Sequence, residues 1–164
     1  VSTKYASFER LVLRAANVFG RVLGRPSEAL LSQLAAKDRR GGTSPPDSPL
    51  VRASHHIQLG QAAFASGAYG EALHHFGEAL NGAPEAPWAW HGRGDALQLS
   101  GQHEAALAAY EQATRFNTEC GLHHAGRANS LGSLGQAEAA EKAWAEALKL
   151  DPSLTWMREG SKND

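Results

Sequence analysis

Three times between Ala53 and Leu154, the same spaced set of residues returns at an interval of 34. A small residue stands at Gly60, Gly94 and Ala128, and a glycine follows at Gly67, Gly101 and Gly135. An alanine falls at Ala72, Ala106 and Ala140, with a large aromatic four residues later at Phe76, Tyr110 and Trp144. A second alanine comes at Ala79, Ala113 and Ala147, and Pro84, Thr118 and Pro152 close each unit. A period of this length marks an array of paired helices, where each pair buries its apolar side only against its neighbours. Gly67, Gly101 and Gly135 suit the left-handed turn that ends the first helix of a pair. The closing prolines stop the second helix. The first small residues let that second helix approach closely, with Ala72, Ala106 and Ala140 answering them, and the aromatics fill the wider gaps between pairs.

These residues resemble the tetratricopeptide repeat, whose pattern runs aromatic, Leu-Gly, Tyr, Ala, Phe and Pro. The first repeat keeps Leu59-Gly60, Ala72, Phe76 and Pro84, with His56 at the leading aromatic position and Ala63 at the Tyr position. The second has Trp90, Gly94, Leu97, Ala106 and Tyr110, with Thr118 in place of Pro, and the third His124, Ala128, Leu131, Ala140, Trp144 and Pro152. Arg93 and Arg127 replace the family's Leu. The resemblance implies an all-α fold, a right-handed α-solenoid of three helix-turn-helix repeats over residues 53–86, 87–120 and 121–154. An N-terminal helical extension and a short C-terminal cap in 155–164 complete it. The resemblance also implies a binder of proteins or peptides, an adaptor or assembly factor, and not an enzyme. It does not say which partner, because one scaffold serves many.

In this family the first helix of each pair lines the concave surface, and the register supplies the inward candidates. Gln61, Asp95 and Asn129 form a row of short polar side chains suited to bonding an extended backbone. His91 stands between Ile57 and Ala125 in a second row, and Trp88 between Ser54 and Leu122 in a third. Phe64 and Gln98 lie one turn further along, and Phe64 and Trp88 are the expected apolar anchors. Some family members grip a partner's terminal carboxylate with Lys, Arg and Asn. Here the corresponding positions hold Ile57, Gln61, Gly92, Leu122 and Gly126. Only Asn129 offers such an amide, in a different repeat, so no carboxylate clamp is expected.

The charge is divided. Residues 1–40 carry eight Lys or Arg against three Asp or Glu, whereas residues 41–164 carry eight against fourteen. Phe8, Leu11, Val12, Ala15, Phe19, Val22 and Leu23 share one face of a helical spacing, with Arg10, Arg14 and Arg21 opposite. Residues 1–40 therefore read as a basic amphipathic helical segment, and the Gly-, Pro- and Ser-rich stretch 41–52 as a linker. Three roles compete for the segment. It caps the first open face of the array, it docks in its own or a neighbour's groove and so makes a homodimer, or it lies on an acidic membrane surface. Without aromatics interleaved in a dense basic cluster, it gives no sign of nucleic-acid binding.

The remaining features exclude more than they assign. The single cysteine, Cys120, rules out an intrachain disulfide and fits a reducing, cytoplasmic setting. No run of about 18 apolar residues is present, so no membrane-spanning helix is expected. The eight histidines include the neighbours His55-His56, His74-His75 and His123-His124, but no pair at the i, i+4 spacing that converges on a metal. His56 and His124 read as packing residues, and His74 and His75 as outward-facing. Cys120 and His124 would share a helix face, with no third group to orient them. No glycine-rich phosphate loop appears. Catalytic residues, metals and cofactors are therefore not expected. At the end, Leu154, Trp156 and Met157 would cover the last repeat.

Overall fold

In the computed structural model, which describes residues 49–162, the chain runs as consecutive helices. They are α1 (Pro49–Ala65), α2 (Tyr69–Gly82), α3 (Pro87–Leu99), α4 (His103–Phe116), α5 (Gly121–Ser133) and α6 (Ala137–Leu150), then a 3₁₀ turn (Pro152–Leu154) and α7 (Thr155–Lys162). Among the described residues there is no strand. The basic segment 1–40 and residues 41–48 of the expected linker lie outside the described residues. The linker's other end differs from expectation, because Pro49–Arg52 are already helical. Proline is at home in a first turn, where its missing N–H would have had no helical partner.

Local signals set where each helix stops, but they do little to hold it. Gly67, Gly101 and Gly135 adopt φ of +79°, +75° and +74°, a backbone state that carries little penalty for glycine alone. None of α2, α3, α4, α5 and α6 receives a side-chain cap at its N-terminus, where Ala68, Ala86, Gln102, Cys120 and Gln136 stand. Helices of 13 or 14 residues without caps are marginal alone, so packing must supply their stability.

Each second helix packs on its own first helix and on the first helix of the next repeat. The first helices α1, α3 and α5 also touch in succession. This places α1, α3 and α5 on the inner side of a solenoid and α2, α4 and α6 outside. The buried alanines Ala72, Ala79, Ala106, Ala113, Ala140 and Ala147 bring the outer helices close, and Phe76, Tyr110 and Trp144 are buried among them.

The rings do more than fill the gap between pairs. A Cβ added to Gly60 on α1 would lie 2.8 Å from the Phe76 ring, and one on Gly92 of α3 only 2.3 Å away. Tyr110 sits in the same way between Gly94 of α3, at 2.8 Å, and Gly126 of α5, at 2.3 Å. The aromatic ring, not the alanine four residues before it, therefore lies over the small residue of the first helix. The second glycine of each cradle, Gly92 or Gly126, belongs to the following repeat.

The C-terminal end is closed by Leu154 and Met157, which are buried in one cluster with Ala125, Ala128, Leu131 and Trp144. Asp151 accepts bonds from the Ser153 amide at 3.0 Å and from its hydroxyl at 2.6 Å, fixing the turn. Arg158 then pins α7 to Glu141 of α6 at 2.5 Å. Trp156, expected to help cover the last repeat, instead faces outward and is 37% exposed. The space at the end of the array is already filled by Leu154 and Met157.

The cradle predicts a contrast within α5. Gly126→Ala forces the Tyr110 ring to move and should cost about 1–3 kcal/mol. Gly132→Ala meets nothing within 4 Å and should be neutral or stabilising by about 0.5–1 kcal/mol. Urea denaturation of the two variants checks both signs.

Candidate functional site

The inner surface can be built from Tyr110 inward. The ring enters from α4, passes between Gly94 and Gly126, and its hydroxyl emerges beside Asp95 of α3. It donates to Asp95 Oδ1 at 2.5 Å. The other carboxylate oxygen, Oδ2, lies 3.6 Å from His91 Nε2, beyond hydrogen-bond length. One turn separates these two residues on α3. His91 Nδ1 in turn lies 3.1 Å from Nδ1 of His123 on α5, so one ring must donate and the other accept. The proximity of Asp95 favours the proton on His91 Nε2. His123 then donates from Nδ1, and its Nε2 is a bare lone pair, buried without a partner. Trp88 packs its ring edge-on against both, with centroids 4.6 Å from His123 and 5.6 Å from His91.

Burial sets the protonation states along this chain. It pushes the Asp95 carboxyl up to about 7, against the bond from Tyr110, which favours the ionised form. Burial drives His91 down to about 4. It also takes His123 down to about 3, with His91 and His124 adding to the effect. The Tyr110 hydroxyl is raised well above its ordinary value by burial and then by Asp95. Near neutral pH both imidazoles are therefore uncharged.

The seven residues expected on the inner surface divide into two groups. Gln61 is exposed, and Trp88, Asp95 and Asn129 are partly exposed, Asp95 with 25% of its side chain open. Asn129 Oδ1 has no hydrogen-bond partner. Phe64, His91 and Gln98 are buried. Phe64, expected as an anchor for a partner, packs instead with Ala63, Ala72, Phe76 and Ala96 in the core. Gln98 ties α3 to α5, accepting from Ser130 Oγ at 2.9 Å and donating to Ser133 Oγ at 2.8 Å. Phe64 is covered from α2 and α3, whereas His91 and Gln98 are covered by α5.

Other histidines also differ from expectation. His75 is partly buried and not outward-facing, with Nδ1 3.3 Å from Nδ1 of His56, whereas His74 is exposed. His124 Nε2 bonds the Thr118 carbonyl at 3.0 Å and its Nδ1 has no partner, so it does not bond Cys120. Burial raises the Cys120 thiol, which makes it a poorer nucleophile at neutral pH. Among the described residues no group of three or more His, Cys, Asp or Glu is arranged to hold a metal. No described helix is long and apolar enough to cross a membrane.

Sequence reasoning missed His123, Gln98 as a tie, and the Tyr110 hydroxyl. The register carried part of the signal: His123 is equivalent to Ala89, and Gln98 to Phe64, both buried.

Comparison with known proteins agrees with this architecture. Residues 63–129 match the family model of the tetratricopeptide repeat. No curated protein matches the chain significantly in sequence. Among solved structures, the first such domain of Spaghetti (RPAP3), bound to the HSP90 peptide SRMEEVD, aligns with a TM-score of 0.64 at 20% identity, covering 70% of this chain and 94% of that one. The Sgt2 domain of Aspergillus fumigatus aligns at 0.63 and 23% identity, covering 68% and 75%. The TPR2B domain of yeast Sti1, in complex with pHsp70, aligns at 0.63 and 18%, covering 68% and 91%. At these identities the likeness is one of fold.

Two outcomes follow from the buried polar chain. Tyr110→Phe removes the bond that favours ionised Asp95, so its carboxyl should titrate above about 7, read from its ¹³C shift. The two histidines carry stability that is present above their unfolded value of 6.5 and lost as pH falls toward 4 and 3. Asp95 does the opposite, its contribution being full below its unfolded value of 3.8 and lost as pH rises through about 7. Between about pH 5 and 6 the two rings outweigh the one carboxyl. Stability should therefore rise with pH there, by up to about 1.4 kcal/mol per unit, and His123→Phe should flatten the slope in denaturant titrations.

Proposed function

We propose that these tetratricopeptide repeats form a protein-interaction module that receives an extended peptide or protein segment along α1, α3 and α5, and that the chain acts as an adaptor or assembly factor. The observation that carries this reading is the unused bonding capacity on the inner face. Among the described residues Asp95 Oδ2 has no partner within bonding length, Gln61 stands exposed in the same row, and Asn129 is partly exposed beside them. Groups open to solvent in this way exchange their bonds to water for bonds to a partner. A partner's backbone amides and carbonyls supply the missing bonds, and the accessible part of Trp88 gives an apolar neighbour a place to rest.

The scaffold favours binding because it is rigid before the partner arrives. Gln98 and the His91–His123 pair fasten α3 to α5 through buried hydrogen bonds, so the receptor side incurs little ordering cost. The Spaghetti and Sti1 domains, of the same fold, are seen with an HSP90 peptide and with pHsp70. The recognition chemistry here differs from a cationic clamp on a terminal carboxylate. The positions for such a clamp hold Ile57, Gln61, Gly92, Leu122 and Gly126, and Gly92 and Gly126 lie directly against aromatic rings. The soluble-adaptor reading needs no catalytic step, metal or cofactor.

Peptides selected from a display library against the full chain test this reading. Asp95→Ala combined with Asn129→Ala should weaken their binding tenfold or more, about 1.4 kcal/mol, with helix content unchanged by circular dichroism. NMR shift changes on binding should fall on α1, α3 and α5. Shifts confined to α2, α4 and α6, or undiminished affinity in the double variant, would show that the inner surface is not the receptor.

A further inference from the structure

Asp95 is an unusual acid for an inner helix. Its side chain is three-quarters buried, and the described side chains of Tyr110 and His91 that lie against it are neutral near pH 7. Tyr110 of α4 donates one hydrogen bond and stays protonated. His91 of α3 is uncharged, and so is His123 of α5 behind it. The register equivalents on α1 and α5 are Gln61 and Asn129, which do not ionise. The α5 cation next along the sequence, Arg127, is directed to Glu111 of α4 at 3.7 Å. Among the described residues the carboxylate thus has one oxygen served, Oδ1, and one, Oδ2, without a hydrogen bond. A partly buried carboxylate with no cation is costly to ionise and gains most from a partner that brings one.

We propose that the segment received by this groove presents a lysine or arginine side chain to Asp95, and that its capture is coupled to release of the Asp95 proton. The inference rests on the groove reading above and names the chemistry of its occupant. A long basic side chain suits the site because three-quarters of the Asp95 side chain is covered. Tyr110 holds Oδ1 and leaves Oδ2 to accept from the incoming cation, so the two donors do not compete. Before binding, the carboxyl is close to half protonated at neutral pH. A cation at bonding distance favours the ionised form and expels the proton. An acidic segment brings no such cation and is disfavoured by repulsion from the ionised carboxylate, which it can escape only by protonating Asp95.

The test uses the full chain and four pools of octapeptides, each with one central residue fixed as Lys, Arg, Gln or Glu. The Lys and Arg pools should bind at least tenfold more tightly than the Gln pool, and the Glu pool most weakly. Their affinity should increase about tenfold from pH 6 to pH 8, following ionisation of a group near 7, while the Gln pool changes little. Asp95→Asn keeps an acceptor for Tyr110 and should bring the Lys and Arg signals down to that of the Gln pool. Calorimetry in buffers of different ionisation heat should show proton release with the basic pools. Binding without a preference for Lys or Arg, or a preference that survives Asp95→Asn or ignores pH, overturns this inference and leaves the groove reading standing. No binding by any pool overturns both.

Discussion

An aromatic ring threaded between two positions that lack a Cβ is the contact on which this array depends. Phe76 and Tyr110 each leave an outer helix and enter the seam between two inner helices, where Gly60 with Gly92, and Gly94 with Gly126, make room. No side chain of ordinary size can stand at the tighter of the two glycines without displacing the ring. The ring is therefore both the core of its own repeat and the joint to the next. Because the helices lack side-chain N-caps, this joint and the buried alanines around it must carry most of the stability that propensity alone does not supply.

The same contact positions the inner surface. Phe76 has no polar end, so its ring brings no hydrogen bond to the seam between α1 and α3. Tyr110 has one, and the seam between α3 and α5 acquires a hydroxyl aimed at Asp95. Around that bond the structure assembles His91, His123 and Trp88 into one block, and Gln98 with Ser130 and Ser133 into another. The second joint accordingly carries polar ties that the ring of the first does not supply. Bonding capacity that the two blocks do not use is left on the inner side at Asp95.

The repeat period made the fold legible, because glycine turns, small residues and aromatics recur at one interval and each has a physical reason to do so. The inner row was legible only as positions. Gln61, Trp88, Asp95 and Asn129 are accessible as their register implies, but Phe64, His91 and Gln98 are not. Register tells which way a side chain leaves its helix and not how closely the next helix approaches. Gly92 and Gly126 were read as missing clamp residues, when their smallness serves the ring of the preceding repeat. That pairing joins residues in two repeats and leaves no mark in the period of either one. Trp156 was assigned to the cap by its hydrophobicity, although Leu154 and Met157 already fill that space.

The central claim is energetic as well as geometric: ring and glycine are coupled, and the coupling sets the spacing of the inner helices. A double-mutant cycle on Gly126→Ala and Tyr110→Leu, followed by urea denaturation of all four proteins, measures it directly. With the smaller side chain at 110 the added methyl should find room, so the penalty of Gly126→Ala should shrink and the coupling energy should exceed about 1 kcal/mol. Penalties that simply add, to within about 0.5 kcal/mol, would mean that the ring does not occupy the seam and that the groove is spaced by something else.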